Sequence, residues 1–114
     1  MIKIYHNNRC SKSRCALAVL EESGQDFLVI NYLQSPPDKD ELREIIKKLD
    51  IKAQDLVRRS ESIYKENYKD KVLSEEEWVS VMVENPILIE RPILVSDDKA
   101  VIARPTEKIN DILA

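Results

Sequence analysis

The sequence predicts an α/β protein: a mixed four-stranded sheet with flanking helices and a helical insertion. Three observations point there. Strand-like, helix-like and again strand-like apolar patterns succeed one another in the first part of the chain, as in a parallel βαβ unit of roughly 30 residues. Near the other end, two short β-branched runs flank Asp97-Asp98-Lys99, which reads as a hairpin. Between them, two capping-box sequences open amphipathic helices.

In chain order, residues 1–5 place Ile2 and Ile4 in alternation with Lys3, a short strand. A helix is expected from about Ser13 to Ser23, stopped by Gly24, the single glycine of the chain. Phe27-Leu28-Val29-Ile30 is a continuous apolar run, expected as a strand buried on both faces. Pro36-Pro37 marks a turn. Asp38 with Glu41 then caps a helix carrying Leu42, Ile45, Ile46 and Leu49. Residues 53–70 are polar, with a short helix expected around Leu56-Val57. Ser74 with Glu77 caps a helix that buries Trp78, Val79, Val81 and Met82 and ends before Pro86. Ile93-Leu94-Val95 and Val101-Ile102-Ala103 form the hairpin arms. Pro105 suits the first turn of a last helix with Ile109, Ile112 and Leu113 on one face. Residues 38–84 would thus be an insertion between two halves of one domain spanning 1–114.

At 114 residues the chain can bury a core without disulfides or metals. A net charge of −3 argues against a nucleic-acid binder, which would usually show a basic stripe. No apolar run approaches the ~20 residues of a membrane span, and the first residues lack the apolar core of a signal peptide. The cytoplasm is the expected compartment. Two cysteines in a reducing compartment are expected to be reactive or buried rather than bridged. One histidine and no Cys/His cluster give no zinc pattern.

The chemistry concentrates in Tyr5-His6-Asn7-Asn8-Arg9-Cys10-Ser11-Lys12-Ser13-Arg14. Cys10 falls between a strand and a helix, where backbone N–H groups point outward and the helix dipole is positive. Arg9, Lys12 and Arg14 add positive charge. Such surroundings lower a thiol from ~8.5 to roughly 3.5–7.5 and make it a nucleophile. A buried apolar cysteine is the common alternative, and the polar flanks disfavour it. His6 either tunes Cys10 or is a polar residue at a strand end; a spacing of four across a turn does not decide. Cys15, with Ala16, Leu17 and Ala18 beside it, is expected on the packed face of the helix. A resolving-thiol role for Cys15 is the lesser reading.

Arg58, Arg91 and Arg104 stand at structural punctuation, the last two directly before Pro92 and Pro105 at strand ends. A solvated charge is the ordinary fate of arginine. Planar guanidinium forks, however, match tetrahedral oxyanions such as phosphate or arsenate. One glycine excludes a Gly-rich phosphate loop. A Cys-x5-Arg phosphatase loop fails as well, because Ala16 occupies the sixth position after Cys10.

These residues resemble the glutaredoxin-dependent arsenate reductase family, which has a thioredoxin-like fold. The likeness rests on Tyr5-His6-Asn7 through Cys10 to Ser13-Arg14, and on Asn31-Tyr32-Leu33 with Pro36-Pro37 and Asp40-Glu41-Leu42. It extends through Asp55-Leu56-Val57-Arg58-Arg59 and Asn85-Pro86-Ile87-Leu88-Ile89-Glu90-Arg91-Pro92-Ile93 to Ala103-Arg104-Pro105-Thr106-Glu107. Asn8 stands where the family often has proline, and Ser11-Lys12 where Gly-Thr is common. The resemblance implies that Cys10 is catalytic, that His6 tunes it, and that Arg58, Arg91, Arg104, Ser13 and Arg14 bind the oxyanion. It implies a cis bond before Pro92, no bound cofactor or metal, glutathione as external reductant and glutaredoxin as partner. Related Spx-type regulators, which bind a protein partner, carry a Cys-x-x-Cys switch; here Ser13 replaces the second cysteine. A reductase of another oxidised substrate is the remaining alternative.

Overall fold

A computed structural model describes residues 1–113; Ala114, the last residue of the expected domain, lies outside the described residues. The chain divides into two compact units, one of residues 1–35 with 91–114 and one of residues 36–90. The second corresponds to the expected insertion.

The first unit holds the sheet. Its strands are β1 (Ile2–His6), β2 (Phe27–Asn31), β3 (Ile93–Val95) and β4 (Ala100–Ile102), in the order β2-β1-β3-β4. β1 pairs parallel with β2, with Ile2 opposite Phe27 and His6 opposite Asn31. β1 pairs antiparallel with β3, and β3 with β4, as the hairpin reading requires. Ser96 closes the hairpin, its N–H donating to the Lys99 carbonyl at 2.8 Å.

Helix α1 (Ser11–Ser23) crosses between β1 and β2 and ends at Gly24, whose φ of 74° is left-handed. Such a backbone favours glycine because it lacks a Cβ. Side chains of β1 alternate between faces, so Ile2 and Ile4 share one side. They pack there with Ala16 and Leu20 of α1, Leu94, Ala103, and Ile109 and Ile112 of the last helical segment. Its helical part, Thr106–Asp111, is a 3₁₀ rather than an α-helix and buries Ile109; Ile112 just after it is buried too, and Leu113 is half-buried.

Two expectations are corrected here. β2 is not buried on both faces: Leu28 and Val29 are 48% and 37% exposed. It is an edge strand, and only Phe27 and Ile30 of it are half-buried. Cys15 is exposed rather than packed. The buried stripe of α1 runs Ser13, Ala16, Leu20, spaced at helical period, and Cys15 falls off it.

In the second unit, α2 (Lys39–Leu49) begins at Asp38, which accepts the Glu41 N–H at 2.8 Å. A 3₁₀ turn (Ala53–Leu56) and α3 (Ser62–Asn67) follow in the polar stretch. α4 (Glu75–Glu84) opens with the reciprocal Ser74–Glu77 box. Leu42, Ile45 and Ile46 of α2 and Trp78, Val79, Val81 and Met82 of α4 are buried. The rings of Tyr64 and Tyr68 lie 6.4 and 6.1 Å from that of Trp78. Among the described residues, no helix is long and apolar enough to cross a membrane.

Candidate active site

The loop between β1 and α1 is pinned from within. The Cys10 N–H donates to the Asn7 carbonyl at 3.0 Å, and the Arg9 N–H donates to the Asn7 side-chain oxygen at 3.0 Å. Arg14 donates to the Asn8 carbonyl at 2.8 Å. Cys10 itself is the N-cap of α1 in extended conformation, and its carbonyl accepts the Arg14 N–H. Its partly buried thiol therefore faces the positive end of a helix.

Burial pushes the Cys10 thiol up. Against that act the Ser13 N–H, the Arg91 side chain, the Lys12 N–H and the charge of Arg104, and the net result lies below the ordinary cysteine value. Arg104 reaches the sulfur directly, Nη2 to Sγ at 3.3 Å. Its Nε donates to the Arg91 carbonyl at 2.6 Å, which ties the two arginine-bearing segments together. Both the Arg91–Pro92 and Arg104–Pro105 bonds are cis; the first was expected and the second was not.

His6 follows Ile4 on the helix-facing side of β1 and so meets Ser13, the first buried position of α1. Its Nδ1 lies 2.6 Å from the Ser13 hydroxyl, which also accepts the Asn7 N–H at 3.1 Å. Burial, and then the charge of Arg14, hold the His6 pKa below its ordinary value. A neutral imidazole accepting the Ser13 proton satisfies all three groups. Stability should therefore fall as pH drops below about 6.5, because the unfolded histidine gains a proton that the folded one resists. Urea titrations of wild type and His6→Gln between about pH 7.5 and about pH 5.5 should show this component only in wild type; parallel curves would contradict it.

The structure thus gathers Cys10, Arg91, Arg104 and the Ser13 and Lys12 amides around one sulfur, with His6 behind Ser13. Ser13 acts there through its N–H, while its buried hydroxyl turns to His6 and Asn7 rather than to a substrate. Arg14 is used on the Asn8 carbonyl. Arg58 belongs to the other unit, where Glu61 and Glu90 accept from it at 3.2 and 3.0 Å. Asn7 and Tyr32 were not singled out from the sequence. Tyr32 is the residue after β2, and at the carboxyl end of a strand parallel to β1 it was a position to inspect. Among the described residues, no group of three or more His, Cys, Asp or Glu could hold a metal ion.

A partly buried cysteine at a strand–helix junction, its pKa lowered and its sulfur in contact with Arg104, on a β2-β1-β3-β4 sheet is the arrangement of a thioredoxin-like protein. The chain belongs to the ArsC family, whose profile matches residues 5–112. It is 47% identical to the uncharacterized protein YfgD of Escherichia coli, over 98% of this chain and 96% of that one. It is 42% identical to an arsenate reductase of Neisseria meningitidis, over 98% and 97%. Among solved structures it is similar to the arsenate reductase of Vibrio cholerae, with a TM-score of 0.93 and 41% identity, covering 98% of this chain and 97% of the other.

Proposed function

We propose that this protein reduces arsenate to arsenite in the cytoplasm, with Cys10 as nucleophile and glutathione and glutaredoxin as the source of electrons. The observation that carries the reading is the Arg104 contact to the Cys10 sulfur, with Arg91 beside it. A thiolate held by two guanidinium groups and two amides is both a nucleophile and an anion trap.

The thiolate attacks arsenic, and one arsenic oxygen leaves as water. A glutathione thiol replaces a second oxygen, again with loss of water. A glutaredoxin thiolate then attacks the glutathione sulfur. The new disulfide takes that sulfur, and the electron pair of the broken S–As bond stays on arsenic, which becomes arsenic(III). Hydrolysis of the remaining S–As bond releases arsenite and restores Cys10. Arg91 and Arg104 hold negative charge on the arsenic oxygens throughout. The family resemblance assigns Arg58 to the same task. A polar pocket of about 410 Å³ beside the loop, with Asn8, Arg9, Asn31 and Gln34 in its lining, offers amide and guanidinium groups to a peptide thiol such as glutathione.

The test is arsenate-dependent NADPH oxidation coupled through glutathione reductase, glutathione and glutaredoxin. Turnover that needs both arsenate and glutaredoxin is expected. No turnover beside a working reductase of the family would overturn the reading.

A further inference from the structure

The pocket beside the thiol loop, about 410 Å³, falls within the roughly 300–1,000 Å³ usual for small-ligand sites. Two segments of the first unit wall it. The register of β1 on β2, with His6 opposite Asn31, brings the loop after β1 beside the loop after β2. Each wall is fixed by its own bonds. The Arg9 N–H donates to the Asn7 side chain, and the Asn31 carbonyl accepts the Gln34 and Ser35 N–H groups at 3.0 and 2.9 Å.

The lining holds the cation Arg9 and no carboxylate. Arg14 backs the same turn through the Asn8 carbonyl. Among the described residues, the side chains of Asn8, Arg9, Asn31 and Gln34 make no hydrogen bond or ion pair within the protein. An exposed arginine is ordinarily just solvated. Arg9, however, stands in a concave polar wall, directly before Cys10, with three carboxamides that both donate and accept. That set complements a molecule with carboxylates and peptide amides and disfavours a cationic one.

We propose that this pocket selects the thiol co-substrate by charge: Arg9 takes a carboxylate of the incoming thiol compound, so that anionic peptide thiols meet Cys10 ahead of neutral or cationic ones. The inference rests on Cys10 as nucleophile and deepens the assignment of the pocket to glutathione, and its test uses no arsenate. Cys15→Ser protein would be reacted with oxidised glutathione, hydroxyethyl disulfide and cystamine, which are anionic, neutral and cationic. In each case the Cys10 thiolate attacks one sulfur and the S–S bond breaks. A mixed disulfide forms on Cys10, and the other half leaves as a thiolate with the electron pair. Intact mass follows the rate. Dividing each rate by that of hydroxyethyl disulfide cancels any change in thiolate population, because every reagent meets the same sulfur. The same ratios for 2-mercaptoethanol remove the intrinsic reactivity of the reagents.

The parent should prefer oxidised glutathione and disfavour cystamine at low salt, and both effects should fade at about 0.5 M salt. Arg9→Gln should lower the glutathione preference roughly three- to fivefold, and Arg9→Glu should reverse it. Lys12→Gln removes an exposed cation on the first turn of α1 that does not line the pocket, and should lower the preference less. Equal corrected rates for the three reagents in the parent, or an unaltered preference in Arg9→Gln, would overturn the inference. So would equal losses in Lys12→Gln and Arg9→Gln, which would mark a diffuse field of the basic turn. A Cys10 that reacts with none of the reagents would refute the nucleophile reading and this inference with it. A parent that shows the preference but reduces no arsenate would sustain the inference and refute the substrate reading alone.

Discussion

Cys10→Ser is expected to reduce arsenate turnover to the background of the coupled assay, a loss of at least about 10⁴-fold. The change is conservative for the fold. Serine is a better N-cap than cysteine, and its hydroxyl can face the Lys12 and Ser13 N–H groups in place of the sulfur. The loss is therefore chemical. Two arginines and two amides can lower a thiol into its anionic form near neutrality, whereas a hydroxyl starts far too high to follow. Far-ultraviolet circular dichroism would establish that the variant is folded. Residual turnover within about tenfold of wild type would show that Cys10 is not the nucleophile.

Arg104→Ala is expected to cost about 10²- to 10³-fold in kcat/KM, the usual effect of removing one preorganised donor from a developing anion. Two causes combine. The thiol loses a cation in contact with its sulfur at 3.3 Å, so its pKa rises and less thiolate is present at neutral pH. The arsenic oxygens also lose a donor. Raising the assay pH should restore the first part and leave the second. Arg104→Lys should recover the charge but not the fork that reaches both the sulfur and the Arg91 carbonyl, and should fall between. Arg104→Ala with unaltered kcat/KM and an unaltered thiol titration would remove this arginine from the account. Arg58→Ala bears on the substrate, because an arsenate would use three arginines and a small glutathione adduct would not.

The legible parts of this fold were those written in local physics. Asp38–Glu41 and Ser74–Glu77 announce helix starts by the bonds they go on to make. Gly24 announces a left-handed stop. What a sequence window does not contain was misread. The exposure of Leu28 and Val29 depends on β2 being an edge strand, a property of topology. The start of α1 at Ser11 carried no capping signal, because its N-cap is a cysteine rather than Ser, Thr, Asp or Asn. The His6–Ser13 pair was within reach. Alternation along β1 and period along α1 aim both residues at one face, whereas counting four residues from His6 to Cys10 did not find it. In the site, the structure brings Cys10, Arg91 and Arg104, which lie far apart in sequence, close together. The resemblance places Ser13 among the oxyanion-binding residues without saying which atom acts; in the structure its N–H faces the sulfur and its hydroxyl faces His6. Cys15 was placed by its apolar neighbours rather than by its angle on the helix.

The central claim is that Cys10 is a thiolate held in an anion-binding setting. Its most direct test is the pH titration of thiolate ultraviolet absorbance in Cys15→Ser protein, where Cys10 is the one remaining cysteine. The account predicts a midpoint below the ordinary cysteine range, moving upward in Arg104→Ala. A midpoint at or above that of a cysteine in a peptide, about 8.5, would contradict it.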